Sequence, residues 1–318
     1  MTRVHDDIGT PVFSGESPLT GQNALSFSRS VANRVGGIIS PVRFRGKERL
    51  TNTIGSIASR FTAEADCNPV KGAFVTVPLS ERIGRLMWTG CYETELVSLL
   101  KAVLSPGMVC VDVGAQIGYF SIISAALVTE RGAVHSFEPD PGSFSCLVKN
   151  SCSYSWVKTH NCVVSNSGGV VPFYPSPMPG ESGWGAIFNA DGERARIPAQ
   201  ACTLDRWMAD ERIEKIDFLK IDVEGAECRV LEGAQAAIQK TRPIMWVEAN
   251  DICLSRDGKS VALLAQLLEG WGYLVQAVYD RRVNSFENVV AVPKERADLL
   301  EKVRRANMKL RELKPSPK

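Results

Sequence analysis

The stretch that most constrains the fold runs from Met108 to Asp140, MVCVDVGAQIGYFSIISAALVTERGAVHSFEPD. Val109, Cys110, Val111 and Val113 form an apolar run that carries one acid, Asp112, and stops at Gly114. A run of that kind bounded by glycine reads as a strand covered on both faces, the usual state in a parallel sheet. Tyr119, Phe120, Ile122, Ile123 and Ala126 then recur at three- and four-residue spacing until Gly132, which predicts a helix. Ala133 to Phe137 predicts a second strand, and Glu138 stands at its tip. The whole is one βαβ unit with a glycine turn at its first crossover.

The turn carries the chemistry. Gly114 and Gly118 remove side chains where the backbone bends tightly and a ligand comes close. Glu138, about twenty residues on, is placed to accept hydrogen bonds from ribose hydroxyls. Gly114-Ala-Gln-Ile-Gly118 is not G-x-G-x-x-G, so no second glycine lets a pyrophosphate approach the helix N-terminus. A nucleoside without a diphosphate, such as S-adenosylmethionine, fits this turn better than a dinucleotide does.

Elements of the same alternation follow. Val157 to Val164 predicts a third strand, Phe218 to Ile221 and Ile244 to Glu248 two more buried strands, and Gly272 to Tyr279 with Phe286 to Val292 a closing hairpin. Helical stripes lie over Thr94 to Leu104, Leu231 to Ile238 and Val261 to Leu268. The expected fold is α/β, a doubly wound, mostly parallel, Rossmann-like sheet of seven strands with the last strand antiparallel. Three regions are expected: a loosely ordered N-terminal extension over residues 1–70, rich in Ser, Gly, Thr and Asn; the catalytic domain over 71–292; and a basic amphipathic C-terminal helix over 293–318, with Leu299, Val303, Ala306, Leu310 and Leu313 on one stripe. That helix could dock on the core or on a second copy, so a homodimer is among the expectations. Pro175 to Glu193, dense in Pro, Gly and Ser, reads as a substrate loop with Trp184 and Phe188 as its apolar contacts.

The second informative stretch is IDFLKIDVEGAE, Ile216 to Glu227. Its strand ends in Asp222, Glu224 and Glu227 around Gly225, and the next strand ends on Glu248. Ligands of open α/β sheets bind beyond the carboxyl ends of strands. Acids clustered there call for a cation nearby, and Lys220 in the strand is one such partner. Carboxylates also suit hard cations, but no further ligand spacing supports a metal, and none is expected.

Charge and cysteine usage narrow the function. The formal net charge is +2, yet residues 61–292 hold twenty basic against twenty-seven acidic residues. An acidic core lacks the basic face of most nucleic-acid enzymes, so no nucleic-acid partner is expected. Nine cysteines without a C-x-x-C pair read as small buried hydrophobes in a reducing compartment. No stretch approaches the roughly twenty apolar residues of a membrane span, and the first residues, MTRVHDDIGT, lack a signal-peptide core. A cytoplasmic location is expected.

DVGAQIGYFS, FEPDP, TLD, KIDVEGAE and VLEGA occur here in an order and spacing that resembles the FkbM family of S-adenosylmethionine-dependent methyltransferases, over roughly Tyr92 to Asn250. The resemblance implies a class I methyltransferase fold, no metal as a rule, and methyl transfer to oxygen, most often a hydroxyl, of a small-molecule, sugar or lipid-linked acceptor. It implies that Asp112, Gly114, Ala115, Gln116 and Gly118 line the turn and methionine region, that Glu138 holds the ribose with Asp140 beside it in the same motif, and that Asp222 and Glu224 floor the site near the methyl. The family usually has Asn where Gln116 stands, which keeps the amide and alters its reach. For alcohol acceptors a base within hydrogen-bond reach helps, and Asp222, Glu224 and Glu248 are the candidates. Three alternatives are weighed: a non-catalytic S-adenosylmethionine-binding partner subunit; a nicotinamide-dependent oxidoreductase, against which the missing G-x-G-x-x-G counts; and a nucleic-acid base methyltransferase, against which Asp222-Val-Glu-Gly in place of an Asn/Asp-Pro-Pro-aromatic turn counts.

Overall fold

The computed structural model describes residues 19–42, 46–176, 185–188, 195–280, 285–305 and 310–312. Trp184 and most of the Pro175 to Glu193 stretch lie outside them. In chain order the helices are α1 (Leu19–Ile39), α2 (Lys47–Ala58), α3 (Arg82–Trp88), α4 (Thr94–Val103), α5 (Tyr119–Val128), α6 (Pro141–Ser151), α7 (Leu204–Asp210), α8 (Glu227–Glu232), α9 (Gln235–Thr241), α10 (Asp251–Leu254), α11 (Val261–Gly270) and α12 (Asp298–Arg305). The strands are β1 (Glu64–Cys67), β2 (Val75–Pro78), β3 (Val109–Val113), β4 (Ala133–Phe137), β5 (Val157–His160), β6 (Val163–Val164), β7 (Gly169–Phe173), β8 (Ile197–Cys202), β9 (Phe218–Ile221), β10 (Ile244–Glu248), β11 (Tyr273–Asp280), β12 (Ser285–Pro293) and β13 (Leu310–Glu312).

The main sheet has the order β5-β4-β3-β9-β10-β12-β11-β13. β5, β4, β3, β9 and β10 run parallel, whereas β12 lies antiparallel to both β10 and β11. Alternate side chains along each strand feed two cores. Val111, Leu219, Met245 and Val289 join the core that holds α7, α8, α9 and α11, while Cys110, Phe218, Ile244 and Val290 join the one that holds α4, α5 and α12. Period-two alternation with apolar residues on both faces is the signature of a doubly wound sheet. The chain reverses direction beside β3, which leaves a crevice at the carboxyl ends of β3 and β9. No helix among the described residues is long and apolar enough to cross a membrane.

Three expectations are corrected. The described residues 19–42 and 46–58 are not loosely ordered: α1 and α2 pack on the body of the protein. Their contacts run through small and polar residues, which composition alone reads as loop. Gly36 lets α1 approach Trp88 so closely that a Cβ there would lie 2.2 Å from the indole nitrogen. Arg29 ion-pairs with Asp66, and Asn33 donates to Asp66 at 2.8 Å. The expected third strand breaks in two, since β5 stays in the main sheet while β6 leaves it to pair with β8 in a small β6-β8-β7 sheet.

The C-terminal stripe does not form one helix. α12 ends at Arg305 with Leu299 and Val303 buried, and Leu310 to Glu312 add β13 antiparallel to β11, so among the described residues the main sheet has eight strands and not seven; Ala306 and Leu313 lie outside the described residues. An open sheet edge presents unpaired backbone groups, and pairing them competes with helix formation in the tail.

Candidate active site

The glycine turn is built from its backbone outward. Gly114 and Gly118 take φ values of 78° and 88°, in the left-handed region where a Cβ is costly. A Cβ on Gly114 would also meet the carbonyl oxygen of Asp222 at 1.8 Å. The Gly114 and Ala115 N–H groups both donate to the Phe137 carbonyl at 3.0 Å. Gln116, at φ 50°, sends its backbone N–H to Glu138 Oε2 at 2.8 Å, and Asp140 sends its own to Glu138 Oε1 at 2.8 Å. Glu138 is 7 % exposed, and burial pushes its carboxyl up to about 7 even though both amides pull it down.

Lys220 organises the floor. It is the register partner of Asp112 on the neighbouring parallel strand, so both side chains leave the sheet together. Its ammonium donates to the Gly114 carbonyl at 3.0 Å and lies 3.3 Å from both Asp112 Oδ1 and Asp222 Oδ2. The Phe120 ring lies below it, with its centroid 5.8 Å away. Burial disfavours the charged lysine, but Asp222, Asp112 and Glu93 outweigh that and raise its pKa. Asp112 Oδ2 in turn accepts from Ser121 Oγ at 2.6 Å.

A cavity of about 440 Å³ opens over these groups, within the size range of cofactor sites. Of the sequence-read residues, Gly114, Ala115, Gln116, Glu138, Asp222, Glu224 and Glu248 line it. Asp112 lies beneath the floor under Lys220, Gly118 packs on Leu147, and the Asp140 carboxylate caps α6 by accepting from Ser143 N at 2.8 Å. Those three are not among the lining residues.

The acid rim is electrostatically crowded. Burial first, then Asp222 and Glu227, raise the Glu224 pKa; burial and the charges of Glu224 and Asp222 do the same for Glu248. Glu248 Oε2 is shut off from solvent and accepts no hydrogen bond. Cys253 on α10 donates to Glu224 Oε2 at 3.6 Å. Among the described residues, Glu224, Glu248 and Cys253 place their donor atoms within 4.8 Å of one another, close enough to share one cation. Sequence spacing missed that grouping because its members come from three separate segments.

Residues from outside the two motifs complete the walls. Tyr92 and Glu93 precede α4, and the Tyr92 ring sits 5.7 Å from that of Phe120 and 5.8 Å from that of Tyr119. Glu93 adopts φ 36°, a strained conformation for a residue with a side chain. Arg82, Met87, Asn250 and Arg256 also line the cavity. The helical stripe over Thr94 to Leu104 locates α4, but nothing in the residue pattern singles out its two preceding residues.

A second, larger cavity of about 1470 Å³ meets the first at Met87, Tyr92, Glu93 and Tyr119. All its other lining residues fall between Asn33 and Lys101, on the N-terminal helices and the segments that follow them.

Comparison with known proteins accords with this geometry. Residues 112–275 match the family model described as the methyltransferase FkbM domain. The chain is 31 % identical over 205 residues to 31-O-demethyl-FK506 methyltransferase FkbM of Streptomyces tacrolimicus, covering 56 % of this chain and 76 % of the relative. It is 26 % identical to 2-O-methyltransferase NoeI of Sinorhizobium fredii, over 49 % of this chain and 68 % of the relative. It is 29 % identical to hexuronic acid methyltransferase AglP of Haloferax volcanii, over 46 % of this chain and 58 % of that protein. With a glycine turn, a strand-end glutamate and an acid rim around one cavity, and a family match that spans them, the chain belongs to the FkbM family of methyltransferases.

Proposed function

We propose that this enzyme moves the methyl group of S-adenosylmethionine to a hydroxyl oxygen of a sugar or another polyhydroxylated small molecule. The observation that carries this reading is the convergence of the Gly114 turn, Glu138 and three carboxyl side chains, Asp222, Glu224 and Glu248, on one cavity. When bound, the cofactor supplies an electrophilic methyl on a sulfonium. Glu138 would hold the ribose hydroxyls, and the Gly114 to Gln116 backbone would face the methionine portion. Asp222 is the group that would accept the hydroxyl proton: of the three acids it alone is ion-paired with Lys220, at 3.3 Å. Tyr92, Tyr119 and Phe120 exclude water from the same end of the cavity.

The acceptor occupies the second cavity and reaches the cofactor past Tyr92 and Glu93. Support comes from its position: its walls lie almost wholly outside residues 112–275, the part shared with the family, and they meet the first cavity at Tyr92 and Glu93. Four basic residues, Lys47, Arg49, Lys71 and Lys101, stand among its walls with four acids, Glu48, Asp66, Glu93 and Glu95, so no single charge dominates. The exposed ring of Phe74 adds a flat apolar surface to these walls.

The test is methyl transfer from labelled S-adenosylmethionine to a panel of glycans and hydroxylated metabolites. Label retained after mild alkali marks an O-methyl ether and supports the reading. Label released by alkali marks a methyl ester and moves the acceptor group to a carboxylate.

A further inference from the structure

We propose that Cys162 and Cys202 form a redox-responsive dithiol that closes to a disulfide and reshapes the wall of the cofactor cavity. Their sulfurs lie 3.7 Å apart. Five of the nine cysteines are buried, but these two are partly exposed, so a small oxidant reaches them. Cys162 directly precedes β6 and Cys202 ends β8, and these strands pair in parallel with Val163 opposite Ala201 and Val164 opposite Cys202. The register sets Cys202 opposite Val164, two positions along from Cys162 on the same face, so the ladder holds the two segments together while the sulfurs reach each other diagonally.

The position gives the pair a consequence. Cys162, Val163 and Val164 line the cofactor cavity beside Glu138. The chain between the two cysteines, which are 40 positions apart, also contributes Phe173 and Gly185 to Ile187 to the same wall. A disulfide at the foot of that excursion would draw the sulfurs from 3.7 Å to about 2.05 Å, and the cavity wall moves with them. Mutual hydrogen bonding lowers the Cys202 pKa and raises that of Cys162, which favours Cys202 as the attacking thiolate.

With hydrogen peroxide as oxidant the step balances. The Cys202 thiolate attacks one peroxide oxygen, the O–O bond breaks, and the departing hydroxide takes a proton to become water. Cys162 then attacks the sulfur of the resulting sulfenic acid. The S–O bond breaks, the Cys162 proton leaves with that oxygen as a second water, and the two thiols have given up two electrons to form one S–S bond.

The test needs no acceptor and rests on the proposed cofactor only for its second readout. The full chain is treated with peroxide and digested without reduction, and its peptides are weighed; affinity for S-adenosylhomocysteine is measured by calorimetry before oxidation, after it, and after dithiothreitol. The expected result is a Cys162–Cys202 linked peptide, an affinity about tenfold weaker when oxidised, and recovery on reduction. Cys202→Ser and Cys162→Ser should each bind equally well with and without peroxide. Absence of the linked peptide overturns the proposal, as does a linked protein whose affinity is unchanged. Reduced protein that never binds S-adenosylhomocysteine would overturn the cofactor reading, while the peptide map would still decide whether the dithiol closes.

Discussion

Glu138 accepts the backbone N–H of Gln116 at 2.8 Å, across 22 positions of sequence, and so ties the tip of β4 to the glycine turn after β3. The other carboxylate oxygen accepts from Asp140 at 2.8 Å. Each oxygen keeps acceptor capacity beyond that one bond, and both belong to a side chain that lines the cavity. One residue thus shapes the turn and, in the proposed site, would present the ribose acceptor.

Glu138→Ala removes both functions. Hydrogen bonds to a charged group contribute about 1.5–3 kcal/mol each, so S-adenosylhomocysteine affinity should fall about 30-fold or more. Glu138→Gln retains one acceptor oxygen and should fall between the two. Calorimetric titration of the three proteins checks the order, and equal affinities would remove Glu138 from the ribose site.

The raised pKa of Glu138 makes binding depend on pH. Burial lifts the group from 4.5 to about 7 in the folded protein. A carboxyl raised on folding stabilises the protein fully below its unfolded value and loses that contribution as pH rises through the folded one, here between 4.5 and about 7. Ribose hydroxyls donate to the ionised form, so the cofactor shifts the opposite way. Affinity should climb from about pH 6 towards pH 8, and binding near pH 6.5 should release a proton. Titrations in buffers of different ionisation enthalpy measure that proton, and uptake instead of release would refute the assignment.

Gly114 should be far less tolerant of a side chain than another left-handed glycine. At Gly114 a Cβ has φ 78° against it and the Asp222 carbonyl at 1.8 Å; at Gly258, φ 65°, nothing lies within 4 Å. Gly114→Ala should cost at least about 3 kcal/mol or prevent folding, and Gly258→Ala only about 1 kcal/mol. Thermal melts of the two variants compare them directly.

The order of these motifs was legible in the sequence because strand, turn and strand-end acid are local patterns. The doubly wound sheet followed from them, and the antiparallel last strand followed from the hairpin through Asp280 to Ser285. The rest depends on tertiary choices. α1 and α2 bury Gly36, Gly55 and Thr51 and are tied down by the partly exposed Arg29–Asp66 pair, so much of their contact surface resembles a loop's. The tail carries a helical stripe, but β11 offers an open edge that only the folded sheet reveals. Tyr92, Glu93 and Cys253 reach the cavity from segments whose patterns say nothing of function.

Asp222→Asn separates turnover from binding. The amide keeps the shape and removes the proposed proton acceptor, and general bases typically contribute about 10²–10⁴-fold to rate. With an acceptor from the panel in hand, kcat should fall within that range while S-adenosylhomocysteine affinity changes by less than about threefold. A fall in affinity with kcat intact would make Asp222 a cofactor ligand and move the base to Glu224 or Glu248.

The most direct measurement is calorimetric titration of the reduced, purified chain with S-adenosylhomocysteine and, separately, with NAD. Micromolar one-to-one binding of the first and no heat from the second is expected from a turn that lacks the second glycine of G-x-G-x-x-G. Binding of NAD with comparable affinity, or silence towards S-adenosylhomocysteine, would contradict the cofactor site built on Gly114 and Glu138.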